Sequence, residues 1–219
     1  MKTNVLKLSL LVLLTAGTIS CGNKTVEPAE AIENAAEASD LAEVYQVDPQ
    51  NSTIRWEGSK PLVNTTHFGT IGLASGEVLV ADGRIEAGSF LIDMNQITVE
   101  DLEGEYKEML EAHLKGTAEG KENDFFNVPE YPTASFELTA IEDNLIKGNL
   151  TLKGITKAVE FPAKITVDEE ELSLETESFA IDRTEWGINF GSKSFFPNLG
   201  DKFVADDMIL TVSLKATRS

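Results

Sequence analysis

From Tyr45 onward the chain alternates apolar and polar residues with a period of two, the pattern of strands that bury one face. Ile54 and Trp56 alternate with Arg55 and Glu57, and Phe90, Ile92 and Met94 with Leu91, Asp93 and Asn95. The same beat recurs at Phe136 and Leu138, at Ile146, Leu150 and Leu152, at Val159, Phe161 and Ile165, and at Met208, Leu210, Val212 and Leu214. Asp82-Gly83, Asp143-Asn144, Lys153-Gly154 and Asp168-Glu169-Glu170 interrupt these runs with turn chemistry. Many short strands joined by tight turns predict an all-β antiparallel meander, closed into a barrel or stacked as a sandwich. Closure removes exposed edges and favours the barrel.

One segment keeps a different period. Val99, Leu102, Tyr106, Met109, Leu110 and Leu114 recur at steps of three and four, which predicts one inserted amphipathic helix near residues 99–115. Thr98 and Asp101 approximate a capping box, and Gly116 stands where a C-terminal cap belongs. The apolar stripe of this helix is expected to cover the mouth of the barrel.

The N-terminus reads differently. Lys2 and Lys7 precede a short apolar run of Leu8, Leu10, Leu11, Val12, Leu13 and Leu14, and small residues lead to Ser20-Cys21. The run is too short for a membrane-spanning helix, which needs about 20 residues, and fits an export signal. Cys21 is the only cysteine, and its position resembles the acylated (palmitate-type) cysteine of bacterial lipoproteins, although Thr18 departs from the usual leucine. The expected organisation is a signal peptide over 1–20, a lipidated Cys21 with an Ala/Glu-rich flexible tether over 21–43, and one folded domain over 44–219. A tether of that length spans roughly 25 Å. The predicted localisation is the bacterial cell envelope, lipid-anchored and facing the periplasm.

Charge narrows the partners. The chain has 18 basic and 37 acidic side chains, a net charge of −19, and loss of Lys2 and Lys7 with the signal makes the body more acidic still. Such a surface repels phosphate backbones, so no nucleic-acid partner is expected. The membrane contact is expected to run through the lipidated N-terminus alone. A protein partner or a dimer stays open.

Several motifs then occur in a fixed order: Tyr45-x-Val47-Asp48, Thr66-His67-Phe68-Gly69, Gly76, His113-Leu114, Asp124-Phe125-Phe126-Asn127-Val128 and Tyr131-Pro132. They are followed by Gly148 to Lys157 and by Asp182-Arg183-Thr184-Glu185-Trp186-Gly187-Ile188. In this order they resemble the YceI-like family of bacterial lipocalin-like, polyisoprenoid-binding proteins, over roughly Tyr45 to Ala216. The step from His113-Leu114 to Asp124-Phe125-Phe126 is longer than the family pattern. The resemblance implies an eight-stranded antiparallel lipocalin-like barrel, with an elongated pocket for a long-chain isoprenoid lipid or a quinone tail. No other cofactor is implied.

The expected pocket lining comprises Trp56, His67, Ile71, Phe90, Ile92 and Met94 from the early strands. Leu110, Leu114, Phe125 and Phe126 are expected from the helix and its exit, and Phe136, Leu138, Phe161, Phe179 and Trp186 from the later strands. Packing alone also accounts for these residues as the core of a filled barrel. Arg183 is the headgroup candidate, with a structural role on backbone carbonyls as the competing reading. His67 is either a pocket group or a hydrogen-bonded rim histidine, and His113 reads as a cap or packing residue. With two well-separated histidines no metal site is expected. No nucleophile elbow is present and no base stands out, so no enzyme is expected. Two functions remain: an envelope lipoprotein that binds an isoprenoid for carriage, storage or stress-related lipid handling, or a non-catalytic scaffold with a filled barrel that binds a protein.

Overall fold

Two-residue turns fold the chain back on itself. Asp82 and Gly83 take φ of 51° and 71°, and Lys153 and Gly154 take 51° and 73°. Two successive left-handed residues match the twist of flanking strands, which is why Asp-Gly and similar pairs close hairpins. The computed structural model describes residues 33–219; the expected signal peptide, Cys21 and the first part of the tether lie outside the described residues.

The strands are β1 (Glu43–Val47), β2 (Thr53–Lys60), β3 (Thr65–Ala81), β4 (Arg84–Val99), β5 (Thr133–Glu142), β6 (Leu145–Leu152), β7 (Ile155–Val167), β8 (Glu171–Thr176), β9 (Phe179–Asp182) and β10 (Asp207–Arg218). All pair antiparallel, in the order β1-β10-β2-β3-β4-β5-β6-β7-β8, with β9 on β10. β10 meets β2 through Ile209–Ser213 and β8 through Ser213–Thr217. β1 and β2 both lie along β3 and β10, and β8 and β9 both lie along β10, so ten segments occupy eight positions.

The expected closed barrel requires correction. β4 and β5 exchange a ladder only where Ser89–Asp93 faces Glu137–Thr133. Beyond it, Arg84–Gly88 pairs only with β3 and Leu138–Glu142 only with β6. Each strand carries an extra residue at this level, Glu86 in β4 and Thr139 in β5. A bulge bends its strand and increases the local twist, so the two long hairpins diverge. The result is a curled antiparallel sheet that does not close into a barrel, with a seam where the β4–β5 ladder stops, between Arg84–Gly88 and Leu138–Glu142.

The helix is also shorter than its apolar period. α1 spans Gly104–Lys115, and Val99 ends β4, fully buried. Asp101 does not cap the helix: its carboxylate accepts from Phe68 N and meets His67 instead. Glu103 is the N-cap residue, without a side-chain hydrogen bond. Gly116 does close the helix, at φ 74°, and a Cβ there would stand 2.4 Å from Glu122 O. Leu114 is buried, but Tyr106 and Met109, placed in the apolar stripe by spacing, are 76% and 60% exposed. None of the helices among the described residues is long and apolar enough to cross a membrane.

Candidate functional site

The sheet curls around an apolar cavity of about 110 Å³. Every lining residue is aliphatic, phenylalanine or glycine, and every strand except β1 contributes. A cavity without polar partners holds no water; an engineered apolar cavity of about 150 Å³ stays dry and takes up benzene. In its resting shape this one suits a group the size of a small ring.

Four phenylalanines cross the lumen in a row. Phe90 and Phe136 face each other across β4 and β5 with ring centroids 6.1 Å apart. Phe136 and Phe161 are 5.6 Å apart, and Phe161 stacks on Phe179 at 4.5 Å. Such contacts contribute about 0.5–1.5 kcal/mol each beyond burial. Glycines make room for the rings: a Cβ on Gly148 would approach Phe136 Cζ to 2.2 Å, and one on Gly76 would approach Phe90 to 2.8 Å. Phe90 and Phe136 are only partly buried, the two rings nearest the seam.

Of the residues expected to line the pocket, Phe90, Ile92, Phe136, Leu138, Phe161 and Phe179 do so. Trp56, Ile71 and Met94 are buried but do not line the cavity. The Trp56 indole donates to Thr98 O at 3.1 Å, across Gly69, where any Cβ would collide with that carbonyl. Leu110, Leu114, Phe125, Phe126 and Trp186 belong to the lid at the α1 end of the sheet rather than to the lumen. Trp186 Nε1 donates to Leu150 O at 3.1 Å, which ties the lid to β6.

His67 is engaged rather than free: its Nδ1 lies 2.8 Å from Asp101 Oδ2. His113 contacts Asp124 at 2.7 Å through Nε2, and its ring meets Phe125 and Phe190 edge-on. Arg183 is 4% exposed and donates to the carbonyls of Ala205, Ile188, Phe190 and Val204, with Asp206 at 3.7 Å. Burial pulls its pKa down, and Asp206 and Asp182 oppose that effect. Its donors are used within the lid, and it does not line the cavity. Among the described residues no cluster of three or more His, Cys, Asp or Glu is arranged to hold a metal ion.

Sequence reading missed the half of the lumen away from the lid, where Val78, Ile85, Ile141, Leu172 and Leu174 supply aliphatic walls. The alternation of Leu172 and Leu174 with Ser173 and Glu175 was the available signal.

Residues 45–216 match the family described as the YceI-like domain. The fold is similar to that of Burkholderia cenocepacia BcnA, with a TM-score of 0.59 and 20% identity, over 78% of this chain and 99% of that one. It is also similar to a polyisoprenoid binding domain from Saccharophagus degradans implicated in plant cell wall breakdown, with a TM-score of 0.56 and 13% identity, over 80% of this chain and 98% of that one. At these identities the likeness is one of fold. No curated protein shows significant similarity to the chain.

Proposed function

We propose that this chain, which belongs to the YceI-like domain family, binds the tail of a long isoprenoid lipid, of quinone or polyprenyl type, inside its curled sheet. The observation that carries the reading is the wholly apolar cavity that runs from Ile92 and Ile181 near the lid to Ile85 and Ile141 at the hairpin turns. Each methylene withdrawn from water contributes about 0.8 kcal/mol. A bilayer offers the same environment, so hydrophobicity alone gives no preference over the membrane. Fit to the lumen sets selectivity, and the phenylalanine row must rotate aside for a tail longer than the resting cavity. That balance suits reversible carriage or storage in the cell envelope, with Cys21 as the acylated mooring.

A second reading rests on the small size of the cavity: a filled scaffold that binds a protein partner. Thermal unfolding with added ubiquinone separates the two. A ligand that binds only the folded state at a hundred times its Kd adds about 2.7 kcal/mol, a shift of several degrees. An unchanged melting temperature with quinones and polyprenyl alcohols contradicts lipid binding and favours the scaffold.

A further inference from the structure

The tether and the seam meet. Ala36 N donates to Leu138 O at 2.8 Å, on the β5 lip of the seam, and Ser39 N donates to Glu86 Oε2 at 2.7 Å, on the β4 lip. Only Glu37 and Ala38 lie between the two contacts, so the segment bridges the seam from one lip to the other. A third contact, Asn149 Nδ2 to Glu33 O at 2.7 Å, fixes its approach across β6. Ala36, Ala38 and Ala42 are half-buried while the intervening residues are exposed, so small side chains face the wall.

The position of the contacts matters. Glu86 is the extra residue of the β4 bulge, and Leu138 directly precedes the extra residue of β5. The cavity is lined from both lips, by Ile85, Gly88 and Phe90 on one side and Phe136, Leu138 and Ile141 on the other. The other end of the lumen lies under the lid, where Trp186 and Ile188 are almost wholly buried.

We infer that the seam between β4 and β5 is the lateral entrance for the lipid tail, and that residues 33–42 form a strap that closes it. The inference rests on the cavity being a lipid site. The strap has no apolar anchor of its own and is held by a few hydrogen bonds, so it opens at far lower cost than the sheet. It is also the stretch of chain that leads back toward Cys21. Phe90 and Phe136 stand immediately behind it and are the first rings a tail displaces.

The test uses the full chain with Cys21→Ser, Leu138→Cys as a reporter thiol in the lumen and Ser89→Cys as an outer-face control. Ala36→Pro removes one strap donor and Glu86→Ala one acceptor. N-ethylmaleimide should modify the lumen thiol roughly tenfold faster or more in the double variant, the effect of two lost hydrogen bonds, with the control rate unchanged. Equal lumen rates with and without the strap contacts, or equal acceleration at both positions, overturns the strap. Retinol, a fluorescent isoprenoid alcohol, supplies the second arm. Its uptake and release should both accelerate in the double variant, with Kd nearly constant. Faster labelling without any retinol binding leaves the entrance standing and removes the lipid reading. Retinol binding with unaltered labelling and exchange rates does the reverse.

Discussion

The ring of Phe136 rests on the bare backbone of Gly148: a Cβ at that glycine would lie 2.2 Å from Phe136 Cζ and 2.5 Å from Glu137 O. The pair joins β5 to β6 and sets how far the Phe136 ring reaches into the lumen. Gly148→Ala therefore pushes the ring and the β5 backbone together, an overpacking expected to cost about 1–3 kcal/mol. Urea unfolding reads the loss. In a Phe136→Leu background the penalty should shrink but not vanish, because the carbonyl contact remains.

Phe161 is 8% exposed and touches both Phe136 and Phe179. Phe161→Ala should cost about 3–5 kcal/mol, as large-to-small core changes do. The same change deepens the cavity, so retinol should bind more tightly while the unliganded protein melts earlier. Calorimetric titration beside thermal unfolding shows whether the two move in opposite directions. Parallel loss of both contradicts a lumen held partly shut by its phenylalanines.

Arg183 organises the lid. Its guanidinium serves four carbonyls of the 188–205 segment, and Ala or Lys at this position strands several of them. Loss of one member of a buried charged network costs roughly 3–5 kcal/mol. Arg183→Ala and Arg183→Lys should both be strongly destabilised in urea, and Lys should rescue little because it lacks the planar fork. Full rescue by Lys contradicts the carbonyl role.

Acid should weaken the join between β3 and the β4–α1 turn. Burial raises the Asp101 pKa, but the Phe68 N–H and His67 outweigh it and hold the carboxyl below its ordinary value. The unfolded chain thus binds this proton more readily than the folded one, and stability rises with pH through that range. The contribution is complete above the ordinary aspartate pKa of about 3.9 and is lost as pH falls through the folded value. Asp101→Asn should flatten this part of the pH profile of urea midpoints. A profile unchanged by the substitution contradicts the assignment.

Much of the architecture was readable in residue order. Asp82-Gly83 and Lys153-Gly154 announced their turns because few residue pairs tolerate two left-handed conformations in succession. Alternation puts Phe90, Phe136 and Phe161 on the inward face, where they line the cavity, but the pocket itself was implied by the family resemblance and not by the period. The seam was not legible, because the bulges at Glu86 and Thr139 leave no mark in composition: the run on either side still alternates. Val99 and Leu102 kept the helical period yet fell outside α1, because Asp101 serves Phe68 and His67 instead of the helix. Trp56 matched the inward phase but turned its indole to Thr98 O, a choice made by the missing side chain at Gly69 on the neighbouring strand. Pairings between distant strands decide such details, and periodicity within one strand does not record them.

Mass spectrometry of a solvent extract, taken from the protein purified from its own membranes without detergent, tests the lipid reading most directly. The account predicts one class of isoprenoid lipid in stoichiometric amount, displaced when Phe136→Glu places a charge in the lumen. An extract without isoprenoid, or one holding the same trace of mixed lipids in the wild type and in Phe136→Glu, contradicts it.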